Sequence, residues 1–197
     1  MFQIRKTDIY AAWIDDLRDL AGRARILARV ERLAAGIAGD VKSVGTGVSE
    51  LRVDVGPGYR VYFTRQGREI VLLLAGGDKS TQTADIKTAL RLASNLKEWY
   101  MAKTPTSRYD VAEHLRTPQE MAAYLEACIE EANGDAAFIA KALGDIARAQ
   151  GMSQVARDAG LSRESLYKAL SGDRAPGFDT ILKVMTALGL KLHADVR

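Results

Sequence analysis

Four residues in the first hundred, Arg52, Arg60, Tyr62 and Lys79, have side chains of the kinds that grip and cleave a phosphodiester. Two arginines and a lysine offer positive charge to phosphate oxygens and to the charge that builds on phosphorus, and a tyrosine ring can stack on a base. Cleavage of RNA by its own 2′-hydroxyl also needs a base for that hydroxyl and an acid for the leaving oxygen. The chain's two histidines, His114 and His193, both lie outside this stretch, which excludes a histidine-pair ribonuclease and leaves Lys, Arg and Tyr to move the protons. Those groups titrate far from neutrality, so an enzyme built on them depends on perturbed pKa values or on outside help.

The elements that must position these residues are legible as alternation. Glu50-Leu51-Arg52-Val53-Asp54-Val55, then Gly56-Pro57-Gly58, then Tyr59-Arg60-Val61-Tyr62-Phe63 read as a hairpin. Leu51, Val53, Val55, Tyr59, Val61 and Phe63 face one side; Glu50, Arg52, Asp54, Arg60 and Tyr62 face the other, which is expected to be an open charged face. A symmetric loop places Arg52 opposite Tyr62 and Asp54 opposite Arg60. Each residue also has a plainer role: Arg60 pairing with Asp54, Tyr62 packing on a half-exposed strand, Lys79 solvated in a turn. Their convergence on one surface favours the functional reading.

Around the hairpin the pattern predicts a first strand over residues 2–5 and a helix capped by Thr7 or Asp8 with Ile9, Trp13, Leu17 and Leu20 inward. A second helix follows through Ile26, Val30, Leu33 and Ile37, with Arg23, Arg25, Arg29 and Arg32 off the core and Gly36 and Gly39 ending it. Ile70 to Ala75 lacks alternation and reads as a central strand covered on both faces, emptying into a turn at Gly76-Gly77-Asp78-Lys79-Ser80. A last helix runs from about residue 81 to 99.

The second half is helical. Thr117-Pro118-Gln119-Glu120 is a capping-box start, and Met121, Tyr124, Leu125, Cys128 and Ile129 form an apolar stripe in which Cys128 is a core residue. After Gly134 another helix spans about 135–150 with Phe138, Ile139, Ala142, Leu143 and Ile146 inward. Residues 152–172 then carry the physical logic of a helix-turn-helix. Ala156 is small where helices cross, Gly160 supplies a left-handed turn, and Ser162 caps the second helix. Leu161, Leu166 and Leu170 point inward, leaving Arg163, Glu164, Ser165, Tyr167 and Lys168 for a major groove, with Gln154 able to reach a phosphate. The competing reading is a helical bundle whose corner copies this geometry. Residues 190–196 alternate like a strand, with His193 on its surface.

Two resemblances attach to these motifs. Glu50-Leu51-Arg52, Gly56 to Phe63 and Leu73 to Gln82 resemble the HigB branch of the RelE-like "addiction module killer" toxins over nearly all of residues 1–100. That resemblance implies a ribosome-associated mRNA endonuclease in which Arg52 and Arg60 grip the phosphate, Lys79 transfers a proton or stabilises charge, and Tyr62 orients a base or the leaving group. Residues 107–197 resemble the Xre-type "addiction module antidote" proteins of the HigA kind, which implies repression of its own operon through operator DNA and neutralisation of the toxin. A single helix-turn-helix binds weakly, so a homodimer or larger assembly on a palindromic operator is expected.

Composition agrees with this division. The chain of 197 residues has net charge +3, and its first hundred residues hold 16 Lys and Arg against 12 Asp and Glu, while the rest is close to neutral. A basic half suits a polyanionic partner. No stretch has the length of a membrane span or the pattern of a signal peptide, and the single cysteine cannot close an internal disulfide, so a cytoplasmic protein is expected. No metal cluster or nucleotide motif occurs, and no metal or cofactor is expected.

The expected fold is α+β: a RelE-like domain over 1–100 (two helices, an antiparallel-rich sheet, a closing helix), a flexible junction over 101–108, and an all-α helix-turn-helix domain over 109–197. Met101 at the seam reads like a fresh N-terminus, as in a toxin and antidote joined in one chain and touching in cis or in trans. The alternative is a DNA-binding repressor whose toxin-like half is an inactive dimerisation scaffold.

Overall fold

The computed structural model describes residues 2–67, 69–97, 106–173 and 175–193. The chain divides into two compact units, residues 1–110 and 111–197, and is mixed α+β, with a six-stranded sheet and, among the described residues, eight α-helices.

In the first unit β1 (Gln3–Thr7) leads through α1 (Asp8–Asp16) and α2 (Leu20–Ala34) to the strands β2 (Val41–Gly45), β3 (Val48–Val53), β4 (Tyr59–Gln66) and β5 (Ile70–Asp78), then α3 (Gln82–Lys97) and β6 (Thr106–Arg108). The sheet order is β2-β3-β4-β5-β1-β6, with β1 parallel to β5 and the other pairs antiparallel. Sequence reading assigned no element to β2, and it placed Thr106–Arg108 in the junction; here they form the edge strand β6. Residues 101–105 lie outside the described residues.

The two expected helices form, but the first stops at Asp16 and Leu20 opens the second. Thr7 caps α1 and Asp19 caps α2 by accepting from the Gly22 amide, with Leu17 extended between them. Within α1 the inward side is Tyr10 and Ile14, while Ile9 is exposed. The second helix ends at Ala34 and Gly36 takes a φ of +92°, which leaves Ile37 exposed beyond it. Arg23, expected off the core, is buried.

Two glycines fix the layering. A Cβ on Gly76 would lie 2.0 Å from the Trp13 ring of α1, and one on Gly77 would meet the Asp85 carboxylate of α3. Adjacent strand residues face opposite sides. Hence α1 and α3 cover opposite faces of β5, which is the covered central strand expected, and both glycines belong to the strand rather than to a turn.

α3 also decides the fate of the face expected to be open. Its Ala89, Leu92 and Ala93 pack on Val48, Tyr62, Leu72 and Leu74, because an apolar helix stripe must be buried against something. At the end of that face, near the start of α3, the Arg52 side chain keeps part of its surface exposed.

The second unit begins with a short 3-10 turn, Val111–His114, followed by α4 (Pro118–Ala132), α5 (Ala136–Gln150), α6 (Met152–Asp158), α7 (Arg163–Ala169) and α8 (Phe178–Ala187). The capping box is formed as read: Thr117 accepts from the Glu120 amide while Glu120 accepts from the Thr117 amide. Buried Asp145 on α5 ties the pair together, accepting from the Tyr124 hydroxyl at 3.0 Å, Lys141 at 3.1 Å and Arg148 at 2.7 Å. Residues 190–193 form no strand, and 194–196 lie outside the described residues.

Candidate functional site

The hairpin closes on a different register from the symmetric one. Val53 pairs with Tyr59, leaving 54–58 as the loop, so Arg52 stands opposite Arg60 and Glu50 opposite Tyr62. The loop turns inside itself through Val55 N–H to Val53 O and Gly58 N–H to Val55 O, both 3.0 Å, with Gly58 at a φ of +77°. Asp54 therefore sits in the loop rather than across from Arg60. On the other side Arg60 stands opposite Gly77, so Arg52, Arg60 and Gly77 form one cross-strand row on the α3 side.

Two guanidinium groups opposite each other repel unless compensated. Glu50, 1% exposed, supplies the compensation: its Oε1 lies 2.6 Å from Arg60 Nε and accepts from Gln82 Nε2 at 2.9 Å. Arg60 Nη1 also donates to the carbonyls of Gly58 and Tyr59 at 3.2 and 3.1 Å. Arg52 is held more loosely, 3.9 Å from Asp40, and its side chain is 32% exposed against 14% for Arg60.

Lys79 is exposed in the turn after β5. A Cβ on Gly58 would lie 3.6 Å from Arg60 Nη1 and 3.9 Å from Lys79 Cβ, so the Arg60 guanidinium and the root of the Lys79 side chain both border the bare glycine. Asp78 beside them accepts from the Ser80 hydroxyl and amide, which hold its carboxyl below the usual range.

Tyr62 stands apart. It has no exposed surface, packs in the α3 core cluster, and its hydroxyl makes no hydrogen bond among the described residues. Burial first, then the charges of Glu50 and Asp85, push the phenol upward, so it is neutral at ordinary pH. The structure thus brings Arg52, Arg60 and Lys79 to one rim and puts Tyr62 beneath it. Glu50, Gln82 and Asp85 complete the surroundings without having been read as functional; a carboxylate alternating onto the same side as Arg52 and Tyr62 was the available signal for Glu50. The rim thus gathers three cationic side chains, of which Arg60 is the most firmly held.

In the second unit α6 and α7 meet at a tight turn. Gly160 has a φ of +66°, Leu161 N–H reaches back to Ala156 O at 2.9 Å, and Ser162 caps α7 by accepting from the Ser165 amide at 3.0 Å. Ala156, Leu166 and Leu170 are buried, while Arg163, Glu164, Ser165, Tyr167 and Lys168 are exposed, with the Arg163 guanidinium 5.5 Å from the Tyr167 ring centroid. Gln154, also exposed, donates to Asp158 at 2.7 Å and accepts from Arg157 at 2.5 Å.

Open grooves flank α7. One of about 440 Å³ is lined by Arg148, Gln154, Arg157, Arg163 and Tyr167, the other of about 550 Å³ by Ser165, Lys168 and Thr180 among others. Arg148 and Arg157 were not singled out from sequence; they join this surface because the end of α5 and α6 run beside α7. Among the described residues no cluster of His, Cys, Asp or Glu can hold a metal ion, and no helix is long and apolar enough to cross a membrane.

Each half of the chain matches a family model. Residues 12–98 match the family described as phage derived protein Gp49-like, and residues 105–196 match that described as probable addiction module antidote protein. Together these matches indicate a toxin–antitoxin module. Two uncharacterized proteins of Haemophilus influenzae are similar. One is 50% identical over 94 residues, covering 48% of this chain and 95% of the relative; the other is 57% identical over 87 residues, covering 44% and 88%. The chain belongs to the family of these proteins, joining in one polypeptide a Gp49-like half and an addiction-module antidote half. No solved structure matches it.

Proposed function

We propose that the first unit is a RelE/HigB-like mRNA endonuclease acting on the ribosome and that the second is a HigA-like helix-turn-helix antidote. The antidote restrains the toxin in cis or in trans and, as a homodimer or larger assembly, represses its own operon by binding operator DNA. The observation that carries the reading is the row of Arg52 and Arg60, with Arg60 and the root of Lys79 both bordering Gly58.

In that reading the substrate's 2′-hydroxyl loses its proton to water and attacks phosphorus, closing a 2′,3′-cyclic phosphate as the bond to the 5′-oxygen breaks. Arg52 and Arg60 stabilise the charge gathering on the phosphate oxygens. Lys79 adds charge or passes a proton to the leaving oxygen, and the ribosome positions the strand. Tyr62 serves as the packed floor beneath Arg60 rather than touching substrate. At α7, Arg163, Tyr167 and Lys168 face the major groove, Ser162 and Ser165 lie at its start, and Gln154 reaches a phosphate.

The binding of Arg60 by Glu50 favours a second reading, in which the rim is neutralised and the first unit is only a scaffold for a repressor. Expression of residues 1–100 in a bacterium separates the two. Growth arrest that Arg52→Ala or Arg60→Ala relieves supports the nuclease; harmless expression of the folded unit rejects it.

A further inference from the structure

The strand that closes the first unit's sheet is encoded by the other half. β6 falls inside the antidote match, which starts at residue 105, whereas the Gp49-like match stops at 98. Yet β6 pairs antiparallel with β1, Arg5 opposite Arg108, Lys6 opposite Ser107 and Thr7 opposite Thr106, and residues 106–110 belong to the first compact unit.

The attachment is specific. Arg5 donates from Nε to the Thr106 hydroxyl at 3.0 Å and from Nη2 to the Thr106 carbonyl at 2.7 Å, and the Tyr109 amide donates to Ile4 O at 3.1 Å. Tyr109 is buried with the Lys6 ammonium 5.9 Å from its ring centroid. Antiparallel alternation puts the Ser107 amide on the same side as that of Tyr109, toward β1. Without β6, the backbone of Ile4 and Lys6 on that side of β1 would face water as an open sheet edge, which is a template for an added strand.

We propose that the β1 edge is the docking surface of the toxin unit for its antidote, and that the occupant is the extended segment 106–109 leading the antidote half. It binds by strand addition, with Arg5 reading Thr106 and a pocket at Lys6 receiving Tyr109. The inference rests on the toxin–antitoxin reading for the identity of the partner, and it assigns the contact to the sheet edge rather than to the Arg52–Arg60 rim.

The test places a specific protease site within residues 101–105 of the full chain and follows the cut protein by gel filtration. The expected result is one species holding both pieces. Ser107→Pro, which removes a ladder amide, is expected to weaken their association roughly tenfold or more, with faster hydrogen exchange at the Ile4 and Lys6 amides. Arg5→Ala, which leaves the backbone ladder intact and guards against misfolding of the proline variant, is expected to weaken it by a smaller factor. Separation of the cut wild-type pieces, or unchanged association in both variants, overturns the proposal. Toxicity is scored separately on residues 1–100, which lack the docking segment, so a harmless folded fragment rejects the toxin reading while co-elution of the cut pieces leaves the strand addition standing.

Discussion

Arg60 Nε lies 2.6 Å from the buried Glu50 carboxylate, a diagonal partner two residues along β3 from Arg52, its direct cross-strand neighbour. The diagonal pair makes the like-charged direct pair tolerable, and Gln82 from α3 donates to the same carboxylate oxygen. Removing one member of a buried pair leaves the other charge uncompensated. Glu50→Ala is therefore expected to destabilise the first unit by about 2–3 kcal/mol, below the value for a fully buried pair because Arg60 is partly exposed. Glu50→Gln, which keeps an acceptor for Arg60, should cost less. Urea unfolding of both variants checks this, and equal stability of Glu50→Ala and wild type would refute it.

Tyr62 and Arg60 make opposite predictions for activity. Tyr62→Phe removes a buried hydroxyl that has no hydrogen-bond partner among the described residues, so the fold should be kept or slightly strengthened. If the proposed cleavage uses the rim and not the phenol, Tyr62→Phe should remain toxic when residues 1–100 are expressed, while Arg60→Ala should not. Loss of toxicity in a folded Tyr62→Phe variant would return Tyr62 to the catalytic set.

The contrast explains what could be read from sequence. Strand alternation put Glu50, Arg52, Arg60 and Tyr62 on one side correctly, because the period of two is local. It could not say that α3 lies over that side, since docking is decided by the apolar stripe of a helix far along the chain. Nor could it set the register, which depends on whether Asp54 and Val55 pair or turn. The α6–α7 corner was legible almost residue by residue because Gly160, Ser162, Ala156 and Leu166 act within a few positions of one another. β6 was not, because three polar residues become a strand only through the β1 edge they meet.

Gly76 should be intolerant of any side chain. Its Cβ would sit 2.0 Å from the Trp13 ring, inside the layer between α1 and β5. Gly76→Ala is expected to cost roughly 1–3 kcal/mol and to lower the melting temperature of the first unit by several degrees. Adding Trp13→Leu should recover part of that loss, because the two sites share one space and are coupled. Strict additivity of the two changes would contradict the packing.

Asp19 gives the first unit an acid-sensitive contact. The Gly22 amide first, and then the Tyr59 hydroxyl at 2.8 Å, hold its carboxyl below the ordinary 3.8. A lowered folded value means that its stabilising contribution is present above the ordinary carboxylate value and is lost as the pH falls through the folded one. Tyr59, pushed up to about 12 by burial and by Asp19, behaves in the opposite sense: its contribution is present below 10.0 and lost as the pH rises toward about 12. Asp19→Asn should therefore flatten the acid limb of stability against pH, and Tyr59→Phe should flatten both limbs. Urea midpoints across the pH range check this; limbs unchanged in both variants would count against it.

The outward side of α7 makes the last prediction. Arg163 and Lys168 are exposed, and the residue anchoring the helix, Leu166, points the other way with no exposed surface. The double change Arg163→Ala, Lys168→Ala removes from the fold only an exposed cation–π contact with Tyr167, about 0.5–1 kcal/mol. A loss of DNA binding would therefore report on the interface and not on folding. If both side chains neutralise phosphates, the slope of log affinity against log salt should fall by about 2 for each bound protomer. If Arg163 reads a base edge instead, the slope should fall by about 1 for each protomer and discrimination at one operator position should relax. Anisotropy titrations on the module's own promoter over a salt series separate these outcomes. Wild-type affinity and slope in the double variant would mean that α7 is not the helix that meets DNA.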